Sequence, residues 1–250
     1  MADASLRVVE RADRVHEILN RPEVRNAIDQ QLIDEIHALC EKLENDPKLL
    51  ILSGAGGTFA SGADINQLRE RGRAEALEGI NTRAFQRVAA LPMPVIAALD
   101  GYALGGGAEL AYACDFRIAS TRVKIGNPEV GLGILAGSGA TWRLLELVGE
   151  PVAKEILLAS RVLTANEALE LRLVSEVVEP EELLAAADAL ADRILANDPA
   201  ALMATKRVLA APRSAHPEID LDEQAVLFES PQKYARMTAF LERRSAGRKK

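Results

Sequence analysis

The chain has 250 residues, of which 48% are hydrophobic, and its formal net charge is −7 at pH 7. This length and composition allow one large core that folds without disulfides or bound metal. The negative charge argues against nucleic-acid binding, because phosphate contacts require concentrated lysine and arginine. No apolar run approaches the ~18 residues of a membrane span, and no signal peptide is recognisable. Cys40 and Cys114 form no CxxC pair, so we expect a cytoplasmic protein.

Strands and helices alternate along the first part of the chain. Strands are predicted over 6–10, 14–20, 49–52, 95–99, 116–119, 123–125 and 174–178. Helices are predicted over 29–44, 74–90, 108–114, 140–148, 151–159, 166–171, 181–196, 200–211, 220–228 and 231–244. Strands followed by a helix recur every ~40 to 50 residues, which favours a coil of ββα turns over a doubly wound sheet. A break at 197–199 predicts a mixed core over 1–196 and a helical C-terminal region over 197–250.

Three consecutive glycines, Gly105 to Gly107, lie between the predicted strand 95–99 and the predicted helix 108–114. Glycines at the N-terminus of a helix leave backbone N–H groups uncovered, and such groups hold a negative or polarised oxygen. Glu109 follows within the first helical turn. The sequence therefore predicts an oxygen-binding loop with a carboxylate beside it.

A second loop of small residues, 58–64, also follows a predicted buried strand. Both loops can open at the same edge of a sheet, where one N–H group from each would form an oxyanion hole. Glu109 and Glu129 are the two carboxyl groups available for general acid and base catalysis. Simpler interpretations stay open at this level: Glu109 as a charge that complements the helix dipole, and Glu129 as an ordinary loop residue.

Other familiar sites are disfavoured by spacing. The three histidines are far apart and show no metal-ligand pattern, so no metal site is expected. The chain contains neither GxxxxGK[ST] nor GxSxG. Residues 131–136 satisfy GxGxxG/A, but Pro128 interrupts the preceding segment, which argues against a dinucleotide site.

Three segments together resemble the enoyl-CoA hydratase/isomerase (crotonase) family. Residues 59–65, 94–110 and 127–133 read FASGADI, PVIAALDGYALGGGAEL and NPEVGLG. The resemblance covers nearly the whole chain, from RPE and RNA at 21–27 to AFLERR at 239–244. It implies a spiral of ββα repeats followed by helices that trimerise, commonly as a dimer of trimers, and a substrate that is an acyl thioester of coenzyme A.

The resemblance also assigns binding positions. Ala63 and Gly106 match the residues whose N–H groups hold the thioester carbonyl, as an oxyanion hole. Substrate contacts carried over by position are Ala63, Asp64, Ile65 and Asn66 along the pantetheine and adenine, Arg25 near the CoA phosphates, and Phe240 and Arg243 on a C-terminal helix. The resemblance implies no metal or redox cofactor.

Glu109 and Glu129 match the two glutamates that hydratases of this family use together. The resemblance therefore implies addition of water to a 2-enoyl thioester, with Glu109 as base and Glu129 as acid. The alternatives within the family are an enoyl-CoA isomerase dominated by Glu129 or another crotonase-family acyl-CoA enzyme. The alternative outside it is a non-catalytic acyl-CoA or RNA binder. Residues 136–144 read AGSGATWRL where hydratases often read PGAGGTQRL, so Ala136 and Trp142 affect the expected acyl specificity.

Overall fold

The computed structural model describes residues 4–247; residues 1–3 and 248–250, at the outer ends of the two predicted regions, lie outside the described residues. The chain divides into two compact units, one ending at Arg193 and one beginning at Ile194. None of the helices within residues 4–247 is long and apolar enough to cross a membrane.

The first unit contains two β-sheets. Its strands within the described residues are β1 (Leu6–Glu10), β2 (Arg14–Leu19), β3 (Leu49–Gly54), β4 (Val95–Leu99), β5 (Tyr102–Leu104), β6 (Phe116–Ser120), β7 (Lys124–Gly126), β8 (Val162–Thr164) and β9 (Glu176–Val178). The larger sheet has the order β1-β2-β3-β4-β6-β9, and the smaller has the order β5-β7-β8. Only β1 in the larger sheet and β8 in the smaller pair antiparallel to their neighbours.

Helices connect these strands and form most of the second unit. They are α1 (Gln30–Asn45), α2 (Ile65–Glu70), α3 (Arg73–Glu78), α4 (Ile80–Ala89), α5 (Gly106–Ala113), α6 (Leu145–Leu158), α7 (Ala165–Glu170), α8 (Leu183–Leu195), α9 (Pro199–Ala210), α10 (Glu218–Phe228) and α11 (Pro231–Gly247). In α1 the start follows from capping, because the Asp29 side chain accepts the N–H of Leu32 at 2.9 Å.

From β3 to β7, each turn of the first unit places one strand in the larger sheet and the next segment in the smaller one. β4 is followed by β5 and α5, and β6 is followed by β7 and α6. The segment after β3 behaves in the same way, because Ala60 pairs with Ala103 of β5 before α2 begins. The predicted spiral of ββα repeats is therefore confirmed.

The core is centred on β3 and β4. All five residues of β4 are buried, and β4 lies between β3 and β6 with parallel pairing on both sides. Continuous apolar runs without alternation are typical of strands covered on both faces. Burial of β3 and β4 follows from this pattern. The small-residue loop 58–64 follows β3, and β5 and the glycine segment follow β4.

The glycine segment differs from its prediction. Gly106 and Gly107 belong to α5 itself, and only Gly105, with φ of 51°, precedes the helix. β5 separates the glycines from β4, so they leave the smaller sheet. β5 is missing from the prediction because its three residues lie between Gly101 and Gly105, and glycines on both sides are typical of a loop. β8 is missing as well.

Two predicted helices also differ from their predictions. Gly79 adopts a left-handed conformation, with φ of 62°, and divides the predicted helix 74–90 into α3 and α4. The predicted helix 140–148 begins as a π-helix over Ala140–Leu144 and continues into α6. The kink of α6 at Gly149, where φ is 77°, falls between the predicted helices 140–148 and 151–159, as the prediction has it. Glycine is the residue that adopts these conformations without steric strain.

The second unit consists of α9, α10 and α11 after the end of α8. Arg207 of α9 forms a bidentate ion pair with Glu223 of α10, at 2.8 and 2.6 Å. Several large apolar side chains of this unit are exposed in the single chain. They include Leu209, Leu221, Val226, Phe228, Met237, Phe240 and Leu241.

Candidate active site

The two small-residue loops meet beside the smaller sheet. The N–H of Ala60 donates to the carbonyl of Tyr102 at 3.0 Å, and the N–H of Leu104 donates to the carbonyl of Ala60 at 3.0 Å. This approach requires glycine at position 107, because a Cβ there would lie 2.3 Å from the Ala60 carbonyl oxygen. The bare backbone of α5 therefore lets the first loop pack directly against the helix.

The backbone around Ala63 leaves one N–H group available. The N–H of Ile28 donates to the carbonyl of Gly62 at 2.8 Å, and the carbonyl of Ile28 accepts the N–H of Asp64 at 2.9 Å. Because alternate residues of an extended segment face opposite sides, the N–H of Ala63 faces away from Ile28. Among residues 4–247 it donates to no protein acceptor.

Gly106 supplies the second available N–H group, because it is the first residue of α5 and the first N–H groups of a helix have no intrahelical acceptor. A Cβ on Gly106 would lie 3.5 Å from the Ala63 nitrogen, so the two residues are direct neighbours. Two adjacent N–H groups, one at a helix N-terminus, form a suitable site for an oxygen that gains negative charge.

Glu109 lies on α5 and is only 3% exposed. Its Oε1 atom accepts the N–H of Ser138 at 2.6 Å and the N–H of Ala140 at 3.2 Å. Burial and the nearby charge of Glu129 raise the pKa of Glu109, the N–H donors of Ala140 and Ser138 oppose the increase, and the resulting pKa is about 7. A carboxyl group with such a pKa exchanges protons near neutral pH.

Glu129 begins the short 3-10 helix Glu129–Leu132 and is also buried. Its Oε1 atom accepts the Asn127 side-chain amide at 3.2 Å, whereas its buried Oε2 atom has no hydrogen-bond partner among the described residues. Burial raises the pKa of Glu129. A Cβ on Gly105 would lie 3.3 Å from Glu129 Oε1, so this carboxyl group lies against the glycine segment.

Similarity to known proteins establishes the family of this chain. The family model described as enoyl-CoA hydratase/isomerase matches residues 11–249. The chain belongs to the enoyl-CoA hydratase/isomerase family. A short-chain-enoyl-CoA hydratase of Clostridium acetobutylicum is 41% identical over 241 residues, which cover 90% of each chain. A crotonyl-CoA hydratase of Syntrophomonas wolfei is 41% identical over 239 residues, which cover 91% of each chain.

A solved structure of the same family has the same fold as this chain. The enoyl-CoA hydratase from Bacillus anthracis superimposes with a TM-score of 0.90 at 30% identity, covering 96% of both chains. The crotonase-like ββα spiral of this chain is thus shared with a solved hydratase.

The remaining predicted site residues of the first unit lie near the Ala63 loop. Arg25 is exposed in a left-handed conformation, and its carbonyl accepts the N–H of Ser61 at 3.0 Å. Asp64 caps α2 by accepting the N–H groups of Asn66 and Gln67 at 2.9 and 3.1 Å. The Asp64 side chain therefore has a structural role, whereas Ile65 is 57% exposed and available to a ligand.

Asn66 is exposed on the first turn of α2. Phe240 and Arg243 lie on α11 in the second unit, and both are exposed. Their predicted contacts with coenzyme A stay predictions.

Two buried residues of the site were missing from the sequence prediction. Asn127 is 1% exposed and donates to Glu129, and Tyr112 is 2% exposed and donates to Asn127 at 3.1 Å. A signal for Tyr112 was present, since it follows Glu109 by three residues and therefore shares its helix face. The contact of Tyr112 with Asn127 depends on tertiary structure and has no pattern in the sequence.

Proposed function

We propose that this chain is an enoyl-CoA hydratase that adds water across the C2=C3 bond of a 2-enoyl-CoA thioester, with Glu109 as base and Glu129 as acid. The observation that carries the proposal is the meeting of two buried carboxyl groups, Glu109 and Glu129, with the paired N–H groups of Ala63 and Gly106. The family and the hydratases named among its relatives support the same reaction.

The hydrogen bonds favour this assignment of base and acid. Two backbone N–H groups donate to Glu109 and stabilise its carboxylate form, which accepts a proton from the attacking water. Glu129 has one buried oxygen without a partner, which suits the protonated form and its donation to C2. Burial raises both pKa values from their ordinary range, and the value of about 7 for Glu109 suits proton exchange near neutral pH.

The thioester oxygen would bind between the N–H groups of Ala63 and Gly106. As water attacks C3, negative charge accumulates on this oxygen, and fixed backbone donors stabilise it without reorganisation. The N-terminus of α5 adds its positive dipole end at the same point. This chemistry needs acids, bases and dipoles from the protein and no redox cofactor.

Substrate binding extends from the same loop. The segment from Ala63 to Asn66, half-buried at its start and exposed at Ile65 and Asn66, is proposed to lie along the pantetheine and adenine. The guanidinium of Arg25 is proposed to lie near the CoA phosphates. Phe240 and Arg243 of α11 are proposed to contact coenzyme A within the assembled enzyme.

Assembly is proposed as a homotrimer or a dimer of trimers. The support is the set of large apolar side chains that the second unit exposes in the single chain, because such surfaces are typical of subunit contacts. Sedimentation or light scattering of the purified protein tests this assembly, and a monomeric mass at micromolar concentration would contradict it. A cytoplasmic location is proposed from the buried thiols of Cys40 and Cys114, and cell fractionation tests it.

The decisive test of function is direct. Purified protein is incubated with crotonyl-CoA and with a longer 2-enoyl-CoA, and the products are analysed by mass and by the position of the double bond. The expected product gains one water and carries a hydroxyl group at C3. Unchanged thioesters would refute the proposal, and a shifted double bond without added water would indicate an isomerase.

A further inference from the structure

A short series of hydrogen bonds connects α5 to Glu129. The hydroxyl of Tyr112 donates to Asn127 Oδ1 at 3.1 Å, and Asn127 Nδ2 donates to Glu129 Oε1 at 3.2 Å. The same amide nitrogen lies 3.4 Å from the carbonyl oxygen of Gly105. All three side chains are buried, with exposures of 2%, 1% and 8% in the order of the series.

The orientation of the Asn127 amide follows from its neighbours. Gly105 presents a carbonyl oxygen and Glu129 presents a carboxyl oxygen, so the amide nitrogen must face them and the amide oxygen must face Tyr112. Because the amide oxygen only accepts, the Tyr112 hydroxyl must donate. The series therefore has one direction, from the hydroxyl to the carboxyl group.

Tyr112 stays a donor at any pH at which the enzyme works. Its ring is buried, and Glu109, Glu129 and Arg117 are the charged groups that act on it. Burial and the two carboxylates raise the pKa of Tyr112 above its ordinary value, and the guanidinium opposes this only in part. The hydroxyl consequently remains protonated.

Both carboxyl groups depend on the same helix. Glu109 and Tyr112 are three residues apart on α5, all eight residues of which are buried. Arg117 fixes the end of α5 by donating to the carbonyls of Ala111 and Cys114 at 3.2 and 2.7 Å. α5 carries Glu109 directly and reaches Glu129 through Tyr112 and Asn127.

We propose that Tyr112 is a positioning residue for the hydration reaction: it fixes the Asn127 amide, which in turn fixes the carboxyl group of Glu129 relative to Glu109. This inference rests on the proposed role of Glu129 as acid. Tyr112 itself does not touch the substrate. Without its hydroxyl, the Asn127 amide loses its only side-chain donor in this series and can rotate away from Glu129.

The test is Tyr112→Phe, which removes one oxygen and keeps the ring. We expect kcat for crotonyl-CoA to fall about tenfold while KM changes by less than about twofold, because an acid that is out of position slows the chemical step more than binding. The Asn127 hydrogen bond lowers the pKa of Glu129, so its loss should move the alkaline limb of the pH profile of kcat upward. Tyr102→Phe is the matched control, because that side chain is 44% exposed.

A second variant tests the same connection at Asn127, without changing Tyr112. Asn127→Asp keeps an acceptor for Tyr112 but places a carboxylate against Glu129 and the Gly105 carbonyl, and we expect a larger loss of kcat than in Tyr112→Phe. In the double variant Tyr112→Phe/Asn127→Asp, the loss should stay within about twofold of that in Asn127→Asp alone, since the connection is already broken. Fully multiplicative losses would overturn the inference.

Glu129→Gln separates this inference from the proposed function. If Glu129→Gln retains the original turnover, the assignment of Glu129 as acid fails together with the inference. If Glu129→Gln loses ~10² in kcat while Tyr112→Phe retains the original kcat and pH profile, only the role of Tyr112 is refuted.

Discussion

Two buried glutamates of the first unit have similar pKa values and different surroundings. Burial raises the pKa of both Glu17, in β2, and Glu109, in α5, to about 7. Both oxygens of Glu17 lack a hydrogen-bond partner among the described residues, whereas Glu109 accepts two backbone N–H groups. A raised pKa therefore does not by itself indicate an active site. The N–H donors and the second carboxyl group around Glu109 distinguish it from Glu17 as a candidate catalytic group.

The largest expected effect is a loss of turnover on substitution of Glu109 that substitution of Glu17 does not cause. Glu109→Gln should lower kcat for crotonyl-CoA by ~10² to 10³, because the amide cannot accept the proton of the attacking water. Glu17→Gln, the matched control, should stay within about twofold of the original enzyme. Steady-state assays measure both. Turnover retained in Glu109→Gln, with a shifted double bond, would instead favour the isomerase.

The close packing beside Glu109 gives the second prediction. Gly107→Ala introduces a Cβ that would lie 2.3 Å from the Ala60 carbonyl oxygen, so the two loops must separate. We expect kcat to fall by ~10 to 100-fold as the paired N–H groups lose their geometry. Gly131→Ala is the control, because no atom lies within 4 Å of its added Cβ. Equal activities of the two variants would contradict the importance of this contact.

Glu17 and Glu109 should affect the free energy of unfolding in the same way, although only Glu109 is expected to affect activity. A folded-state pKa of about 7 against the usual 4.5 means that the folded chain binds more protons between these values. The free energy of unfolding therefore decreases as pH rises from ~4.5 to ~7 and stays lower above that range. Glu17→Gln and Glu109→Gln should each raise it by about 1 to 3 kcal/mol at pH 8 and change it little near pH 4.5.

Denaturant unfolding at the two pH values measures this effect. A gain in Glu17→Gln that is the same at both would show that its cause is not the charge. A gain in Glu109→Gln that accompanies its loss of turnover would mark Glu109 as a carboxyl group kept for function at the expense of stability.

The smallest expected effect concerns substrate binding outside the acid and base groups. Arg25→Gln should raise KM for crotonyl-CoA about threefold at low salt with little change in kcat, because an exposed charge contributes a modest attraction to phosphate. Arg172→Gln is the control, since Arg172 is also exposed and also has a positive φ, of 58°. An unchanged KM in Arg25→Gln would remove Arg25 from the proposed CoA site.

The sequence was most informative where a local pattern determines the structure. Continuous apolar residues predicted β3 and β4, and Asp29 predicted the start of α1. The meeting of the two loops followed from placing them at one sheet edge, and the family resemblance supplied the residues Ala63 and Gly106. The strand β5 between β4 and the glycines was not foreseen. Their catalytic role stays a prediction.

The remaining features depend on contacts between distant parts of the chain. Neither the Tyr112 contact with Asn127 nor the two donors to Glu109 at Ser138 and Ala140 can be read from spacing, because loops of this kind have no fixed period. The break of the predicted helix 74–90 at Gly79 was missed for a local reason. An isolated glycine is tolerated within a helical pattern, so the sequence does not show that the helix ends there.

The paired N–H groups of Ala63 and Gly106 have a consequence for how this enzyme can change. They belong to the main chain, so mutation of neighbouring side chains leaves the proposed site for the thioester oxygen intact as long as the loops keep their path. The groups proposed to transfer protons, at positions 109 and 129, are side chains and can be replaced one at a time. We therefore expect that substitutions at Glu109 and Glu129 can change the reaction on a CoA thioester while the N–H groups of Ala63 and Gly106 stay in place.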